Sequence, residues 1–235
     1  MLRITLSALL LITLLFTEQT RAEEHSALKP VPRSGGWMTR HESFNKRVAQ
    51  GNVDLVFIGD SITQGWEGNG KEIWTKYYGE RNAVNLGIGG DRTQHVIWRL
   101  DNGNLKDINP KAAVIMIGTN NSGSNSSQEI ADGVQKIVEQ IRNKSPKTKI
   151  LLLAVFPRGA NKDDGRRKVN QGANTIFSKL DDGKHIHYLD IGEAFLEDDQ
   201  TLPRSIMPDL LHLSPQGYEI WAKSIETKLA SLLSK

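Results

Sequence analysis

The sequence predicts an α/β fold of three layers (α/β/α), with helices on both faces of one parallel sheet. Two observations carry this prediction. Apolar runs without polar alternation recur along the chain, and such runs are typical of strands buried on both faces. Helical apolar patterns separate these runs, so strands and helices alternate in about five β-α units, as in an open, doubly wound sheet. The apolar runs are Val53–Ile58, Ala83–Leu86, Ala112–Ile117, Ile150–Phe156 and, more weakly, Ile186–Leu189.

Residues 1–22 have the pattern of a cleaved signal peptide. A basic start, Met1–Arg3, precedes the apolar run Ile4–Phe16, and Thr20 and Ala22 place small residues at the −3 and −1 positions of a cleavage site. The apolar run is shorter than the about 20 residues that a membrane span needs. An uncleaved membrane anchor is the alternative. We expect an exported bacterial protein, periplasmic or secreted, without stable membrane insertion after cleavage.

Composition narrows the class of protein and of partner. The chain has no cysteine, so its stability must come from a hydrophobic core rather than from disulfides. Its net charge is +3 at pH 7, and its one run of three basic residues, Arg166–Lys168, is typical of an exposed helix face. We therefore expect no nucleic-acid partner.

The predicted domain organisation is simple. Residues 23–36 are expected to form an extended N-terminal lead, because Pro30, Pro32 and two glycines interrupt any helical pattern. We assign residues 37–235 to one domain, since a chain of that length can bury one core. Its first helix is predicted to end near Gly51. The apolar positions of that helix are Trp37, His41, Phe44 and Val48.

Two further helices are marked by their caps. Ser126, with Glu129 three residues later, forms a capping-box pattern. Ser214 before Pro215 is an N-cap followed by proline at the first helical position, and it opens the last helix. The apolar stripes are Ile130, Val134, Ile137, Val138 and Ile141 in the first of these helices, and Tyr218, Trp221, Ile225 and Leu229 in the second.

The end of the first strand and the segment before the last helix carry the residue types of a nucleophilic site. Ser61 follows the first strand directly, while Asp209 and His212 lie three residues apart near the end of the chain. A serine hydroxyl is a poor nucleophile until a histidine accepts its proton, and a buried carboxylate holds that imidazole in the required tautomer. We expect Ser61 as nucleophile, His212 as base and Asp209 as the orienting carboxylate.

Simpler interpretations exist for these residues when each is taken alone. Ser61 could be an ordinary N-capping serine, and the G-x-S-x-G motif is absent because Thr63 stands at its last position. Asp60 is expected to bond neighbouring backbone amides, and we assign it no catalytic role. The place of Ser61 at a strand end favours the functional interpretation, because doubly wound sheets bind ligands at the carboxyl ends of their strands.

The next two strand ends supply candidate oxyanion donors. Gly87–Asp91 contains three glycines, which either form a tight turn or point the backbone N–H of Gly90 into the site. Asn120 follows the third strand and is either a turn residue or a donor through its side-chain amide. Such a donor contributes ~3–4 kcal/mol of transition-state stabilisation.

No metal and no organic cofactor are expected. The glycines of Gly87–Asp91 lack the G-x-G-x-x-G spacing and do not follow the first strand, which argues against a dinucleotide fingerprint. His185 and His187 alternate as on a strand, but no carboxylate or cysteine accompanies them at ligand spacing.

Together these motifs resemble the SGNH (GDSL-type) hydrolases, a family whose four sequence blocks supply Ser, Gly, Asn and His. The blocks correspond to Ser61, Gly90, Asn120 and His212 with Asp209, in the family's order and over nearly the whole predicted domain. The resemblance implies a flavodoxin-like, five-stranded parallel sheet and a Ser–His–Asp triad. It also implies an oxyanion hole formed by the N–H groups of Ser61 and Gly90 and the side chain of Asn120.

Within the family, the chain resembles most the IB-type branch of platelet-activating-factor acetylhydrolase catalytic subunits. The stretches Asn85–Asp91, His95–Leu100 and Phe156–Gly159 carry this resemblance. It implies a serine esterase that hydrolyses short acyl esters, mainly acetyl, through an acyl-enzyme, and association as a homodimer. The predicted signal peptide and longer first helix depart from this branch. They favour a small-molecule or carbohydrate ester as substrate, with carbohydrate O-acetyl esters first.

Two other functions stay open. A lysophospholipase or thioesterase would act on longer acyl chains, although nothing between Ser61 and Asp209 has the pattern of a large apolar lid. A non-catalytic carbohydrate-binding relative would be expected to have lost the serine, the histidine or the asparagine, and all three are present. Trp66, Trp74 and Trp98 either wall a pocket, stack on sugar rings or pack in the core.

Overall fold

The computed structural model describes residues 24–234. The predicted signal peptide, residues 1–22, lies outside the described residues, and its cleavage stays a prediction. From residue 24 to the first helix the chain forms a turn followed by irregular backbone. Within the described residues, no helix combines the length and the apolar character needed to cross a membrane.

Five parallel strands form one sheet in the order β2-β1-β3-β4-β5. This is the strand order of flavodoxin-like folds, and it confirms the predicted class. Gly59 at the end of β1 pairs with Gly87 of β2 and with Met116 of β3, so these three strands end at one edge of the sheet. The strands are β1 Leu55–Gly59, β2 Ala83–Gly87, β3 Ala112–Met116, β4 Lys149–Leu153 and β5 Ile186–Leu189.

The fourth strand is shorter than predicted. It ends at Leu153, although the apolar run continues to Phe156 and all of that run is buried. Val155 has no strand partner, because the side chain of Asn174 takes that place: its Oδ1 accepts from the Val155 N–H at 2.8 Å, and its Nδ2 donates to the Val155 carbonyl at 3.0 Å. Burial without strand pairing explains why apolar periodicity overestimates this strand.

Helices cover both faces of the sheet. Val56 and Ile58 of β1 face the core formed with α1, α4, α5 and α6, whereas Leu55 and Phe57 face the core formed with α3 and α7. Because alternate residues of β1 serve two separate cores, its sequence is an unbroken apolar run. The helices are α1 Gly36–Ala49, α2 Ser61–Gln64, α3 Lys71–Tyr78, α4 Thr93–Asp101, α5 Ser127–Lys144, α6 Gly165–Phe177 and α7 Pro215–Leu233.

Both predicted helix caps are confirmed. The Ser126 hydroxyl accepts from the Glu129 N–H at 3.2 Å, and the Glu129 carboxylate accepts from the Ser126 N–H at 2.8 Å. The Ser214 hydroxyl accepts from the Gly217 N–H at 3.2 Å and so caps α7. These bonds satisfy N–H groups that the first turn of a helix leaves without partners.

The last helix anchors the short helix α2, which begins at Ser61. The Tyr218 hydroxyl donates to the Ile62 carbonyl at 2.6 Å, and both residues are buried. Gly65 makes this approach possible, because a Cβ atom at that position would lie 2.0 Å from the Tyr218 Oη. The strand end that carries Ser61 is therefore held by a residue near the other end of the chain.

We expect Gly65→Ala to lower the free energy of unfolding by about 1–3 kcal/mol, because the added methyl group displaces Tyr218 from a packed core. Thermal and urea unfolding measure this change. The matched control is Gly165→Ala, because a Cβ atom at Gly165 meets nothing within 4 Å. Equal effects of the two substitutions would show that the Tyr218 contact is not what α2 depends on.

Candidate active site

Ser61 is presented by a tight turn at the end of β1. Asp60 caps α2, and its Oδ1 accepts from the Ile62 N–H at 3.0 Å. The turn needs a glycine before it, since a Cβ atom on Gly59 would lie 2.4 Å from the Met116 carbonyl of the neighbouring strand. Sheet pairing and the cap together place the Ser61 hydroxyl at the carboxyl edge of the sheet.

The structure brings Ser61, His212 and Asp209 together. The Ser61 Oγ lies 2.9 Å from the His212 Nε2, and the His212 Nδ1 lies 2.6 Å from the Asp209 Oδ2. A carboxylate can only accept here, so the Nδ1 carries the proton and the Nε2 is left to accept from the serine. This is the hydrogen-bond order that activation of a serine requires.

Asp209 and His212 are held by their own short loop before α7. The Asp209 Oδ1 accepts from the backbone N–H groups of Leu211 at 3.1 Å and of His212 at 2.7 Å. Leu210 between them has a φ of 63°, in the left-handed region that branched side chains rarely adopt. The loop thus orients the carboxylate through backbone hydrogen bonds.

Asp209 is not the buried carboxylate expected from the sequence. Its side chain is 56% exposed and that of His212 is 43% exposed, because their loop lies at the open edge of the sheet. Partial burial raises the pKa of Asp209, but the hydrogen bonds from the His212 ring and backbone outweigh this and hold the pKa below its usual value. The carboxylate therefore stays ionised beside the imidazole at neutral pH.

Gly90 lies in the turn after β2 with a φ of 76°, a conformation that glycine adopts without strain. The residue is exposed. Within residues 24–234, the backbone N–H groups of Gly90 and Ser61 donate no hydrogen bond to another residue. Both groups are available as donors to a bound molecule.

Asn120 is more constrained than the sequence suggests. Its Nδ2 donates to the Asp91 carbonyl at 2.9 Å and makes a longer contact of 3.4 Å with the Asp60 Oδ2. The amide has two hydrogens, so donation to a third acceptor requires the longer contact to yield. The structure brings the Asn120 side chain into contact with Asp60, beside Ser61, and with Asp91, beside Gly90.

Asp91 is a supporting residue that sequence reasoning missed. It is fully buried, and its carboxylate accepts from the Trp37 Nε1–H at 2.6 Å and from the Arg99 Nε–H at 2.9 Å. Its place directly after the glycine turn was the one available indication. These bonds fix the backbone beside Gly90 from α1 and α4.

The N-terminal region reinforces the same turn. The Arg40 Nε–H donates to the Gly87 carbonyl at 2.9 Å, and the Arg33 Nη1–H donates to the Gly89 carbonyl at 2.8 Å. The Gly89 N–H donates to the Gln64 Oε1 at 2.7 Å, which joins the turn to α2. The residues before and within α1 therefore support the loop that carries Gly90.

A cavity of about 380 Å³ opens beside these residues. Gly90 and Asn120 form one side of it, and Leu211, between Asp209 and His212, forms another. The tryptophans suggested as sugar platforms lie elsewhere. Trp66 is 1% exposed in the core, and Trp98 packs against Trp37 with 5.6 Å between ring centroids. Trp74 and Trp66 together line a separate cavity.

Metal ligands are a separate question. Across residues 24–234, no group of three or more His, Cys, Asp or Glu side chains is arranged to hold a metal ion. His185 and His187 lie at the start of β5. That strand is at the opposite edge of the sheet from β2.

Comparison with known proteins identifies the family. Residues 57–220 match the model of the GDSL-like lipase/acylhydrolase family. The chain is 35% identical over 218 residues to the human platelet-activating factor acetylhydrolase IB subunit alpha1, covering 91% of this chain and 93% of that protein. It is 36% identical over 202 residues to subunit alpha2 from Rattus norvegicus, covering 85% and 86% of the two chains.

Solved structures agree in fold. A GDSL-like lipase from Bacteroides thetaiotaomicron superposes with a TM-score of 0.60 and 20% identity, over 80% of this chain and 97% of that one. A catalytic mutant of an acetylxylan esterase from Geobacillus stearothermophilus gives a TM-score of 0.61 and 20% identity, over 74% and 93%. The chain belongs to the GDSL-like lipase/acylhydrolase family and is a carboxylic ester hydrolase.

Proposed function

We propose that the protein is a serine esterase that hydrolyses short acyl esters, mainly acetyl esters, through an acyl-enzyme. The observation that carries the proposal is the hydrogen-bonded series from the Ser61 Oγ to the His212 Nε2 at 2.9 Å and from the His212 Nδ1 to Asp209 at 2.6 Å. A non-catalytic binding protein would have no need of this arrangement.

In the first half of the proposed reaction, His212 accepts the serine proton while the Ser61 Oγ attacks the ester carbonyl. The carbonyl oxygen becomes an oxyanion, and its proposed donors are the N–H groups of Ser61 and Gly90, which have no acceptor among residues 24–234. The Asn120 amide is the third proposed donor, once its contact with Asp60 yields. As the carbon–oxygen bond to the alcohol breaks, His212 returns the proton to the departing alkoxide.

The second half releases the acid. His212 accepts a proton from water, and the resulting hydroxide attacks the acyl carbon. The bond to the Ser61 Oγ breaks, and the proton returns from His212 to the serine oxygen. Asp209 keeps the imidazole in one tautomer throughout and stabilises its positive charge. In both halves of this scheme His212 is the group that accepts the proton and returns it.

Similarity favours acetyl as the acyl group. The curated relatives are named as subunits of a platelet-activating factor acetylhydrolase, and one structural neighbour is named as an acetylxylan esterase. The cavity beside Ser61 supports a polar alcohol, since charged and polar side chains line most of it. We propose a carbohydrate O-acetyl ester as the substrate class.

Export and association are further proposals. The predicted signal peptide supports a periplasmic or secreted protein, and mass spectrometry of the protein purified from its source tests cleavage after Ala22. The similarity to IB subunits supports a homodimer, which light scattering on residues 23–235 tests.

We expect p-nitrophenyl acetate to be hydrolysed faster than the butyrate and laurate esters. Ser61→Ala should lower kcat/KM for the acetate by at least about a thousandfold, because the nucleophile is lost. Ser231→Ala is the matched control, since Ser231 is an exposed serine on α7 whose hydroxyl donates to the Lys228 carbonyl, away from the site. A rate that rises with chain length would contradict the short-acyl proposal.

Asp60 adds a titratable group beside the proposed oxyanion hole. Burial raises its pKa to about 7, and the nearby Asp91 charge adds to this, while the Ile62 N–H opposes it. At pH values between the pKa of Asp60 in the unfolded chain and its folded pKa of about 7, the carboxyl therefore takes up a proton when the chain folds. The contribution of Asp60 to the free energy of unfolding therefore declines as the pH rises from its unfolded to its folded pKa, and it is constant at higher pH.

We expect Asp60→Asn to remove this dependence. The free energy of unfolding of the variant minus that of the wild type should become more positive by about 2–3 kcal/mol between pH 5 and pH 8. Urea unfolding at the two pH values measures the difference. Asp199→Asn, which changes an exposed carboxyl with a lowered pKa, should give the same difference at both. A constant difference for Asp60→Asn would show that its carboxyl titrates normally.

A further inference from the structure

We propose that the cavity beside Ser61 binds an anionic group on the alcohol of the substrate, so that the preferred esters are acetyl esters of carboxylate- or phosphate-bearing alcohols. This inference rests on the proposed esterase function and names its substrate class. The cavity is called the arginine pocket below, after Arg92, Arg158 and Arg166, which line it together with Gly90, Asn120 and Leu211.

The arginine pocket adjoins the proposed oxyanion hole. It shares Gly90 and Asn120 with the proposed oxyanion hole, and Leu211 lies between the two loop residues of the triad. Its volume of about 380 Å³ is far larger than an acetyl group and lies within the range of small-molecule sites. Since the proposed acyl group is small, the group that fills this space is the alcohol.

Three guanidinium groups reach the pocket from separate segments. Arg92 directly precedes α4, Arg158 lies in the loop after β4, and Arg166 is in the first turn of α6. Within residues 24–234, no carboxylate oxygen lies within 4.0 Å of a nitrogen of these three side chains. Some other arginines are paired, such as Arg40 with Glu67 at 2.7 Å and Arg99 with Asp91 at 2.9 Å. Others in the same range also lack a carboxylate partner and bond backbone carbonyls instead, namely Arg47, Arg142, Arg167 and Arg204. What distinguishes the three pocket arginines is that they line one cavity.

Neutral groups hold two of these side chains in place. The Arg92 Nη1–H donates to the Ser124 Oγ at 3.1 Å. The Arg158 Nη1–H donates to the Thr119 carbonyl at 3.2 Å and to its hydroxyl at 3.1 Å. These bonds orient the guanidinium groups without neutralising them, so the pocket keeps a net positive charge. Arg166 is exposed and completes the rim.

Repulsion within the pocket is visible in Arg158. Burial lowers its pKa, and the positive charge of Arg166 lowers it further, while the carboxylates of Asp164, Asp60 and Asp209 oppose this. Like charges held near one another are stabilised when an anion binds between them. Guanidinium groups bind carboxylate and phosphate through paired N–H donors, so both anions fit the pocket.

The test compares acetyl esters that share one aromatic ring. Phenyl acetate is neutral, 3-acetoxybenzoate carries a carboxylate, and 3-acetoxyphenyl phosphate carries a phosphate. We expect kcat/KM for at least one anionic ester to exceed that for phenyl acetate by about tenfold at low salt, and this ratio to fall as salt is added. A carboxylate preference indicates an acidic sugar or similar alcohol, and a phosphate preference indicates a phosphorylated alcohol.

The variants assign the preference to the pocket. Arg166→Gln and Arg158→Gln should each lower the ratio of anionic to neutral kcat/KM by about fivefold or more. Lys168→Gln removes one positive charge from the same helix, outside the pocket, and should leave the ratio unchanged. Circular dichroism identifies a variant that fails to fold. If Arg158→Gln does not fold, Arg166→Gln decides the test, because the Arg166 side chain is exposed.

Failure of this inference can be told apart from failure of the esterase proposal. Ser61-dependent hydrolysis of phenyl acetate without preference for either anionic ester would overturn the arginine pocket and leave the esterase intact. Calorimetry with the Ser61→Ala variant gives an answer that needs no turnover. In that variant, 3-hydroxybenzoate or 3-hydroxyphenyl phosphate should bind about tenfold more tightly than phenol, and equal binding of all three would also overturn the inference.

Discussion

The site depends on a buried ion pair between Asp91 and Arg99. Taking both charges out of water costs several kcal/mol, which is recovered only when the remaining polar atoms of the pair are also bonded. Here they are: Trp37 donates to the carboxylate, while the guanidinium donates to the Asn104 side chain at 2.6 Å and makes a long contact of 3.4 Å with the Gly59 carbonyl. The pair therefore joins α1, α4, the end of β1 and the turn after β2 in one buried network.

Two halves of the site are held in different ways. On one side, Asn120 donates to the backbone of Asp91, and Arg99, which pairs with Asp91, contacts the Gly59 carbonyl, so the buried pair joins the ends of three neighbouring strands. The positions of the proposed oxyanion donors follow from this packing. On the other side, Asp209 and His212 are exposed and are ordered mainly by the hydrogen bonds of their own loop. The loop that carries Asp209 and His212 is therefore the half of the site that solvent contacts most directly.

Sequence reasoning located the strands because burial on both faces restricts a strand to apolar residues. It located the candidate side chains because doubly wound sheets bind ligands at the carboxyl ends of their strands. It overestimated β4, since the side chain of Asn174 replaces a strand partner at Val155 and periodicity does not record such a contact. It could not find the exposure of Asp209 or the convergence of the unpaired arginines. Both depend on how distant segments approach each other, and a one-dimensional pattern carries no such distances.

The proposed nucleophile and its base are 151 residues apart in the chain, and the contact from α7 that steadies the serine turn spans 156 residues. A chain that is made from its amino end exposes Ser61 long before His212 exists. Until His212 is in place, Ser61 lacks the base that the proposed mechanism requires. A fragment that ends before residue 212 would therefore carry the proposed nucleophile without its base, and we expect it to hydrolyse no ester.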